Sequence, residues 1–252
     1  MAYSFIPYTL KQNYEAYSSD DFAVWRLLFE HQMKILPRIA SKDYLAGIKK
    51  VGFTADKIPN YNETNKLLEH LTGWQIHVVP GHIENKPFFE LMRAKNFCAS
   101  TWLRKRSQLD YLQEPDMFHD TFGHVPMLSN KNICHFLEEL GRIALRFIDD
   151  TNCIECISRL YWYTIEFGLI KEGGALKIYG AGILSSKTES EYSVHSDIPK
   201  RLPFDVATVL NTPFKIDVFQ ETYFVLDSYE QLFNSTNEIE HALENIHSLS
   251  HA

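Results

Sequence analysis

The sequence predicts a mainly α-helical fold with small β-strands, built as a single compact domain. Apolar residues recur at helical spacing over long stretches, whereas strict alternation is confined to short ones. The chain of 252 residues with 45% hydrophobic content can bury one large core, and no internal repeat or low-complexity linker divides it. We therefore expect one domain over residues 1–252, of which residues 1–20 form an N-terminal extension.

Helices are predicted from the spacing of apolar residues and from the residues that begin or end them. The first covers Asp20 to Leu36 and should stop near Pro37, because proline removes a hydrogen-bond donor and crowds the preceding turn. The second should end at Gly73, since glycine is common just after a helix. In full, the predicted helices cover residues 20–36, 63–71, 87–93, 131–149, 153–167 and 229–248.

Strands are predicted only in short segments. Residues 74–79 alternate between apolar and polar side chains, which is typical of a half-buried strand. Residues 175–178 and 214–225 are the other two candidates. The strands are therefore expected to be minor elements beside the helices.

The charge balance argues against two classes of protein. A formal charge of −7 is unsuited to a protein that binds the nucleic-acid backbone, and Arg104-Lys105-Arg106 is the only run of three basic residues. No apolar stretch reaches the length of a membrane helix, and residues 1–11 lack the charged start and apolar middle of a signal peptide. We expect a soluble, cytoplasmic protein with no nucleic-acid or membrane partner.

The four cysteines are too few for a disulfide framework in a chain of this length, so reduced thiols are expected. Cys153 and Cys156 form a C-x-x-C pair, which could be a redox pair or half of a zinc site. No second C-x-x-C completes a zinc site, and on a helix this spacing only places both thiols on one side. We expect two structural cysteines.

The most informative segment is the run of residues 114–126, which holds two histidines five positions apart. In a continuous α-helix, five steps of about 100° would turn His124 roughly 140° away from His119, so the two could not share one metal ion. The helix is therefore expected to end between them. Gly123 provides a permissive end, and Pro126 disfavours continuation.

A metal ion held by these imidazoles would need a further ligand, and Glu166 is the best candidate. It lies in the aromatic segment 160–168, where an unpaired carboxylate would be costly to bury. Two histidines and one carboxylate are typical of non-heme Fe(II) oxygenases. The spacing alone equally allows His119 and His124 to be ordinary, partly buried histidines and Glu166 a hydrogen-bonded core acid.

Three segments in chain order resemble one protein family. Residues 115–126 look like the metal-binding signature of the pterin-dependent aromatic amino acid hydroxylases, residues 161–168 like the segment that carries that family's ligand glutamate, and residues 179–186 like its substrate-pocket loop. Weaker similarity extends over residues 61–229, and the likeness is strongest to the short bacterial members that act on phenylalanine. The resemblance implies the fold of the family's catalytic domain.

The resemblance also implies an iron- and tetrahydropterin-dependent monooxygenase that converts L-phenylalanine to L-tyrosine with O₂. Fe(II) would be held by the catalytic residues His119, His124 and Glu166, and tetrahydrobiopterin or a related pterin would be the cosubstrate. The regulatory domain and tetramerisation helix of the family's long forms are not expected, because the signature begins at residue 114 and the chain stops soon after a last helical pattern. We expect a monomer whose partners are small molecules.

Further site residues follow from the resemblance, each with a physical reason. Arg104 matches the arginine that binds the substrate α-carboxylate, a role suited to the planar guanidinium. Phe88 matches the aromatic ring that stacks on the pterin. The implied cofactor contacts are Phe88, Gly81, His82, Ile83 and Asp120, and the implied substrate contacts are Arg104, Tyr111, Trp162 and Ser185.

Two positions bear on the choice of substrate, and two depart from the animal enzymes of the family. Trp162 matches a tryptophan that favours the smaller phenylalanine ring, and Ile216 stands about where tyrosine hydroxylases carry an aspartate. Leu112 replaces a threonine that helps to bind the amino acid backbone, and Asp120 replaces a glutamate near the pterin. The resemblance therefore predicts phenylalanine as the substrate.

Other functions remain open from the sequence. The same chemistry could act on tryptophan. Two histidines and a glutamate can also hold Zn²⁺ and activate water, although a hydrolase would leave the aromatic segments unexplained. A non-catalytic protein that binds an amino acid or a pterin is the third alternative, although such a protein need not keep all three ligands.

Overall fold

Helices form most of the chain within residues 8–109, 114–216 and 218–250, the part that the computed structural model describes. In chain order they are α1 Ser19–Ile39, α2 Lys42–Lys50, α3 Tyr61–Leu71, α4 Asn85–Arg93, α5 Lys131–Arg146, α6 Thr151–Tyr161, α7 Ala181–Leu184, α8 Lys187–His195, α9 Val206–Asn211, α10 Tyr229–Asn234 and α11 Thr236–Ser250. Two π-helices lie at Phe118–His124 and Trp162–Glu166, and 3₁₀-helices lie at Tyr14–Ala16, Arg106–Gln108 and Val125–Ser129. The predicted helical class is confirmed.

Helix α1 begins and ends through specific local contacts. The Ser18 hydroxyl accepts the Asp21 N–H at 3.2 Å while the Asp21 carboxylate accepts the Ser18 N–H at 2.8 Å, so two otherwise unpaired donors are satisfied. The helix does not stop at Pro37, as the sequence predicts, but continues to Ile39. Pro37 lies in the last turn, where its missing N–H removes only one hydrogen bond, and burial of Ile39 favours the extra residues.

The predicted closing helix over residues 229–248 is divided into α10 and α11. The Ser235 hydroxyl donates to the Leu232 carbonyl at 2.8 Å, which tightens the chain into a turn between them.

At the start of α6, the Asp150 carboxylate accepts the N–H groups of Asn152 and Cys153 at 3.0 and 3.2 Å. None of the described helices has the length and apolar character needed to cross a membrane.

The strands form two small sheets. β1 Gln75–Val78 pairs in parallel with β2 Asn96–Ala99. The second sheet has the order β4-β3-β6-β5 and contains β3 Leu169–Glu172, β4 Ala175–Ile178, β5 Lys200–Pro203 and β6 Thr222–Leu226. The prediction at residues 175–178 is confirmed, whereas the prediction at 214–225 is wrong before Thr222, where the strand begins.

The first π-helix is itself part of the hydrophobic core. Phe118 and Phe122 are fully buried, and their rings stack at 4.6 Å and 11°. Trp25 of α1 packs edge-on against Phe118 at 5.4 Å, and the Tyr44 hydroxyl of α2 donates to the Phe122 carbonyl at 2.8 Å. The segment that carries the two histidines is therefore held by rigid packing on its opposite side.

Two glycines let α7 approach both π-helices. A Cβ on Gly123 would lie 2.9 Å from the Ala181 carbonyl oxygen, and a Cβ on Gly180 would lie 2.5 Å from the Glu166 carbonyl oxygen. Any side chain at either position would push these elements apart. The role predicted for Gly123, to end a helix, is therefore wrong, because the helix passes through it and the missing side chain serves close packing.

Candidate active site

The two histidines lie in one unbroken π-helix, so the prediction that the helix ends between them is wrong. In a π-helix the hydrogen bonds join residues five apart, which brings positions i and i+5 to nearly the same side. His119 and His124 have this spacing in Phe118–His124, and their Nε2 atoms lie 3.2 Å apart. An α-helix would point the two imidazoles in different directions, whereas the wider turn of the π-helix brings them together.

Glu166 is brought to the same point by a second π-helix. The predicted helix over residues 153–167 is α-helical only to Tyr161 and then widens, with the Phe167 N–H donating to the Trp162 carbonyl at 2.8 Å. The Glu166 carboxylate oxygens lie 3.2 Å from Nε2 of His124 and 3.5 Å from Nε2 of His119. The three predicted ligands therefore converge.

The tautomer of His119 is set by Ser185. The Ser185 hydroxyl donates its single hydrogen to the Ala181 carbonyl at 2.8 Å, so it can only accept from Nδ1–H of His119 at 2.9 Å. A neutral His119 then carries a lone pair on Nε2, which faces His124 and Glu166. Ser185, predicted as a substrate contact, thus orients His119, one of the predicted metal ligands.

The charge states of His119 and Glu166 also suit a cation. Burial lowers the pKa of the His119 imidazole, and the nearby Glu166 carboxylate only partly offsets that effect. Burial alone would raise the pKa of Glu166, but His124 and His119 outweigh it and hold that pKa below its ordinary value. The neutral imidazole and the ionised carboxylate are the forms that bind metal, and the three ligand atoms lie within 4.8 Å of one another. This donor set fits Fe(II).

Arg104 is fixed by the buried carboxylate of Asp116, a pairing that the sequence does not indicate. Asp116 is fully buried, and its two oxygens accept Nε–H and Nη2–H of Arg104 at 2.9 and 2.8 Å. The same carboxylate accepts the backbone N–H of His119 at 3.1 Å. Asp116 therefore ties the guanidinium to the metal-binding segment, and its position at the start of that segment was the only available signal.

The residues predicted to contact the pterin lie around a small apolar cluster separate from the main core. Ile83 is buried there with Val79 and Leu91, and Phe88 packs against the cluster. The Phe88 ring meets Tyr161 edge-on at 5.6 Å, so it is fixed beside the residue that precedes the second π-helix. Gly81 has a φ of 150°, where glycine is favoured, and His82 is exposed.

Asp120 lies within electrostatic reach of His119 and His124. Its carboxylate accepts the Ser100 N–H at 2.7 Å, and burial raises its pKa, although His119 and Ser100 oppose that effect. The structure therefore brings Asp120 close to His119, as the predicted pterin-side role requires. Tyr111 and Leu112 lie outside the described residues.

Trp162 begins the π-helix that ends at Glu166. Its ring stacks on Phe214 at 4.4 Å and 14°, and it lies against Phe167 at 4.5 Å. The indole N–H donates to the Gln220 side-chain oxygen at 3.0 Å, a partner that sequence reasoning missed because nothing in the sequence places residue 220 beside residue 162. Ile216, which was predicted only to bear on the choice of substrate, is 67% exposed.

The two cysteines of the C-x-x-C pair lie on a helix and are not joined in a disulfide, as expected for structural cysteines. Cys153 and Cys156 are buried, carry free thiols and lie in α6. Burial raises the pKa of Cys153 to about 12, so the thiol is protonated at neutral pH. Cys153 does lie within 4.8 Å of ligand atoms of Asp150 and His247, but that Asp150 carboxylate already caps α6 and pairs with His247 at 2.6 Å.

Comparison with known proteins places this geometry in a family. The family model for biopterin-dependent aromatic amino acid hydroxylases matches residues 9–251. A phenylalanine-4-hydroxylase of Chromobacterium violaceum is 45% identical over 229 residues, which cover 91% of this chain and 77% of that protein. The corresponding enzyme of Pseudomonas aeruginosa is 39% identical over 222 residues, or 88% of this chain and 84% of that protein.

Solved structures give the same result. The Chromobacterium violaceum phenylalanine hydroxylase with bound oxidised Fe(III) superimposes with a TM-score of 0.91 at 43% identity, covering 96% of this chain and 88% of that one. The form bound to cobalt gives a TM-score of 0.90 at 42% identity, covering 97% and 89%. With the matching model spanning nearly the whole sequence, the chain belongs to the biopterin-dependent aromatic amino acid hydroxylase family.

Proposed function

We propose that this protein is a phenylalanine 4-monooxygenase, which hydroxylates L-phenylalanine to L-tyrosine with Fe(II), O₂ and a tetrahydropterin. The observation that carries the proposal is the convergence of the ligand atoms of His119, His124 and Glu166 within 4.8 Å of one another. When bound, Fe(II) and the tetrahydropterin activate O₂, so that one oxygen atom enters the ring and the other leaves on the pterin. The hydroxylases of similar sequence support phenylalanine as the substrate.

Arg104 binds the substrate carboxylate in this proposal. Asp116 occupies one edge of the guanidinium through Nε and Nη2, which fixes the plane of the group before substrate arrives. The N–H groups on its other edge can then donate to a carboxylate without further loss of side-chain freedom. Because Asp116 also accepts the His119 N–H, it fixes the position of the substrate-binding Arg104 relative to the metal-binding His119.

The remaining predicted contacts complete the two small-molecule sites. Trp162 bounds the substrate ring, Ile216 in place of an aspartate favours phenylalanine, and Tyr111 adds a contact to the amino acid. Phe88 stacks on the pterin while the backbone of residues 81–83 hydrogen-bonds its edge. Asp120 reaches the pterin through water, since it is shorter than the glutamate of the animal enzymes. These roles are supported by the position of Phe88 and Ile83 in one cluster and by the closeness of Asp120 to His119.

We further propose a cytoplasmic monomer that works as a single catalytic domain on small molecules, without nucleic-acid or membrane partners. The free thiols Cys98, Cys134, Cys153 and Cys156 fit a reducing compartment. The net charge of −7 also argues against a nucleic-acid partner. Sedimentation of the purified protein over a range of concentrations tests the oligomeric state.

The first experiment measures tyrosine formation from L-phenylalanine by the apo protein with Fe(II), O₂ and a synthetic tetrahydropterin, omitting each in turn. Product should appear only when all components are present. Tryptophan and tyrosine are supplied in parallel as competing substrates. No product from folded, iron-loaded protein with any of the three amino acids would overturn the proposed function.

A further inference from the structure

The side chain of Gln220 is buried and forms hydrogen bonds at both ends of its amide. It is 3% exposed, and its Oε1 accepts the indole N–H of Trp162 at 3.0 Å. Its Nε2 donates to the carbonyls of Lys215 and Val218 at 2.9 and 3.1 Å. An indole can only donate and a carbonyl can only accept, so this chemistry allows one orientation of the amide.

These bonds fold the described residues 214–216 and 218–220 around the Gln220 amide. Phe214 at one end stacks on the Trp162 ring. The bonds to Lys215 and Val218 bend the chain back upon Gln220, so the same amide shapes the segment and holds the indole. Ile216, Val218 and Phe219 are 67%, 52% and 49% exposed, and the Phe219 ring stacks on Tyr192 of α8 at 4.6 Å.

Gln220 is in turn fixed to the body of the protein. Its backbone N–H donates to the Glu189 carboxylate of α8 at 3.3 Å, and the Tyr223 hydroxyl of β6 donates to the same oxygen. Glu189 is 6% exposed. The Trp162 indole is therefore held at its N–H by Gln220 and on its face by Phe214, and both of these residues belong to one anchored segment.

We propose that Gln220 is a positioning residue that fixes the Trp162 indole and thereby sets the preference of the site for phenylalanine over the larger tryptophan side chain. This inference rests on the proposed function, in which Trp162 bounds the substrate ring. Trp162 alone does not determine the size of the pocket, because an indole free to turn could retreat from a larger substrate. The bond to Gln220 prevents that movement.

The test compares Gln220→Glu with the wild-type enzyme. The substitution keeps an acceptor for the indole but places a carboxylate oxygen against two carbonyls, so the segment can no longer close around it. We expect the ratio of kcat/KM for phenylalanine to that for tryptophan to fall by about tenfold, which is the scale of discrimination by pocket size. The KM for tetrahydropterin should change by less than about twofold.

Gln231→Glu is the matched control. Gln231 is half-buried, accepts the Asp227 N–H at 2.9 Å and donates to the Phe204 carbonyl at 3.3 Å, so it makes the same kinds of bond without reaching Trp162. Its substrate ratio should equal that of the wild type. If Gln220→Glu does not fold, Gln220→Asn retains the amide on a shorter stem and should shift the ratio in the same direction.

A readout independent of turnover separates this inference from the proposed function. Hydrogen exchange at the Trp162 indole N–H should be slow in the wild type and at least tenfold faster in Gln220→Asn, where the shorter stem weakens the bond. Fast exchange in the wild type overturns the inference even if the enzyme makes tyrosine. An unchanged substrate ratio in a folded Gln220 variant, or an equal loss with both substrates, also overturns it. Failure of the wild type to make tyrosine rejects the proposed function, while the exchange rates still decide whether Gln220 holds Trp162.

Discussion

Trp162 joins two regions of the molecule, because it begins the second π-helix and is contacted by the 214–220 segment. The geometry of the two π-helices and that of the segment have different origins. The π-helices place His119, His124 and Glu166 through main-chain hydrogen bonds and a buried aromatic core. The described residues of the 214–220 segment are held by the Gln220 amide, which binds two carbonyls, and by stacking of Phe214 and Phe219 on aromatic neighbours. The ligand region is therefore rigid and locally encoded, whereas the substrate-side segment depends on a few contacts between residues far apart in sequence. Damage to the first should remove activity, and damage to the second should change selectivity.

The largest effect is expected from Glu166→Ala. Loss of the only carboxylate among the three ligands should abolish Fe(II) binding and lower kcat by more than about a thousandfold, since metal catalysis contributes several kcal/mol. Metal content after dialysis and single-turnover tyrosine formation measure both effects. Glu155→Ala, which removes a 61% exposed carboxylate from α6, is the control and should retain iron and activity. Full iron content in Glu166→Ala would show that the ligand region is not as described.

The second-largest effect is expected from Arg104→Ala, at a residue that belongs to neither of the two regions. Arg104→Ala should raise the KM for phenylalanine by about 10- to 100-fold, because a hydrogen bond to a charged group contributes about 1.5–3 kcal/mol, while kcat should change much less. It also leaves Asp116 buried without its partner, so thermal unfolding must be measured beside the kinetics. Arg106→Ala, which removes a 56% exposed arginine, is the control. An unchanged phenylalanine response in Arg104→Ala would reject the carboxylate-binding role.

A smaller effect is expected within the ligand region from Ser185→Ala. Removing the acceptor for Nδ1–H of His119 should weaken metal binding by about 10- to 100-fold without preventing it, the usual result of losing a partner to a ligand imidazole. Competition with a chelator measures the affinity. Ser158→Ala is a matched control, because Ser158 donates to the Ile154 carbonyl four residues earlier, as Ser185 does to Ala181, but its hydrogen bond stays within α6. Equal metal affinities for the wild type and Ser185→Ala would contradict the tautomer argument.

The same contrast explains what could be predicted from the sequence. The three residues that converge, His119, His124 and Glu166, could be predicted from the sequence, because each lies in a short segment that is recognisable without its neighbours. The π-helical form of these segments was not predicted. An α-helical repeat places His119 and His124 on different sides of a helix, but a spacing of five is also the hydrogen-bond spacing of a π-helix. The strand predicted at residues 214–225 fails before Thr222 for another reason. Alternating apolar residues there suit a strand, but the Gln220 amide binds the main chain of Lys215 and Val218, a contact that periodicity does not record. Asp116 was likewise visible as an acid but not as the partner of Arg104.

The smallest expected effect lies outside both regions, where Glu240 joins α11 to α5. Its carboxylate accepts two N–H groups of Arg142 at 3.0 and 2.6 Å, and these bonds, together with Arg146, lower its pKa to about 2 despite partial desolvation. A carboxyl group with a lowered pKa contributes stability above its ordinary pKa of 4.5, and that contribution is lost as the pH falls from 4.5 towards 2. Glu240→Gln should therefore lower the free energy of unfolding by about 1–2 kcal/mol at pH 7, less than the full shift implies because the arginines are partly exposed.

Urea unfolding at pH 7 and at pH 3 measures the Glu240 contribution, and the difference between Glu240→Gln and the wild type should shrink at the lower pH. Glu63→Gln, which removes an exposed partner of Lys57, should change stability by less than about 0.5 kcal/mol at either pH. Neither variant should alter metal affinity or the ratio of activities on phenylalanine and tryptophan. A shift in that ratio with Glu240→Gln would show that the selectivity assigned to the 214–220 segment responds to general loosening of the helices, and the contrast between the two regions would then fail.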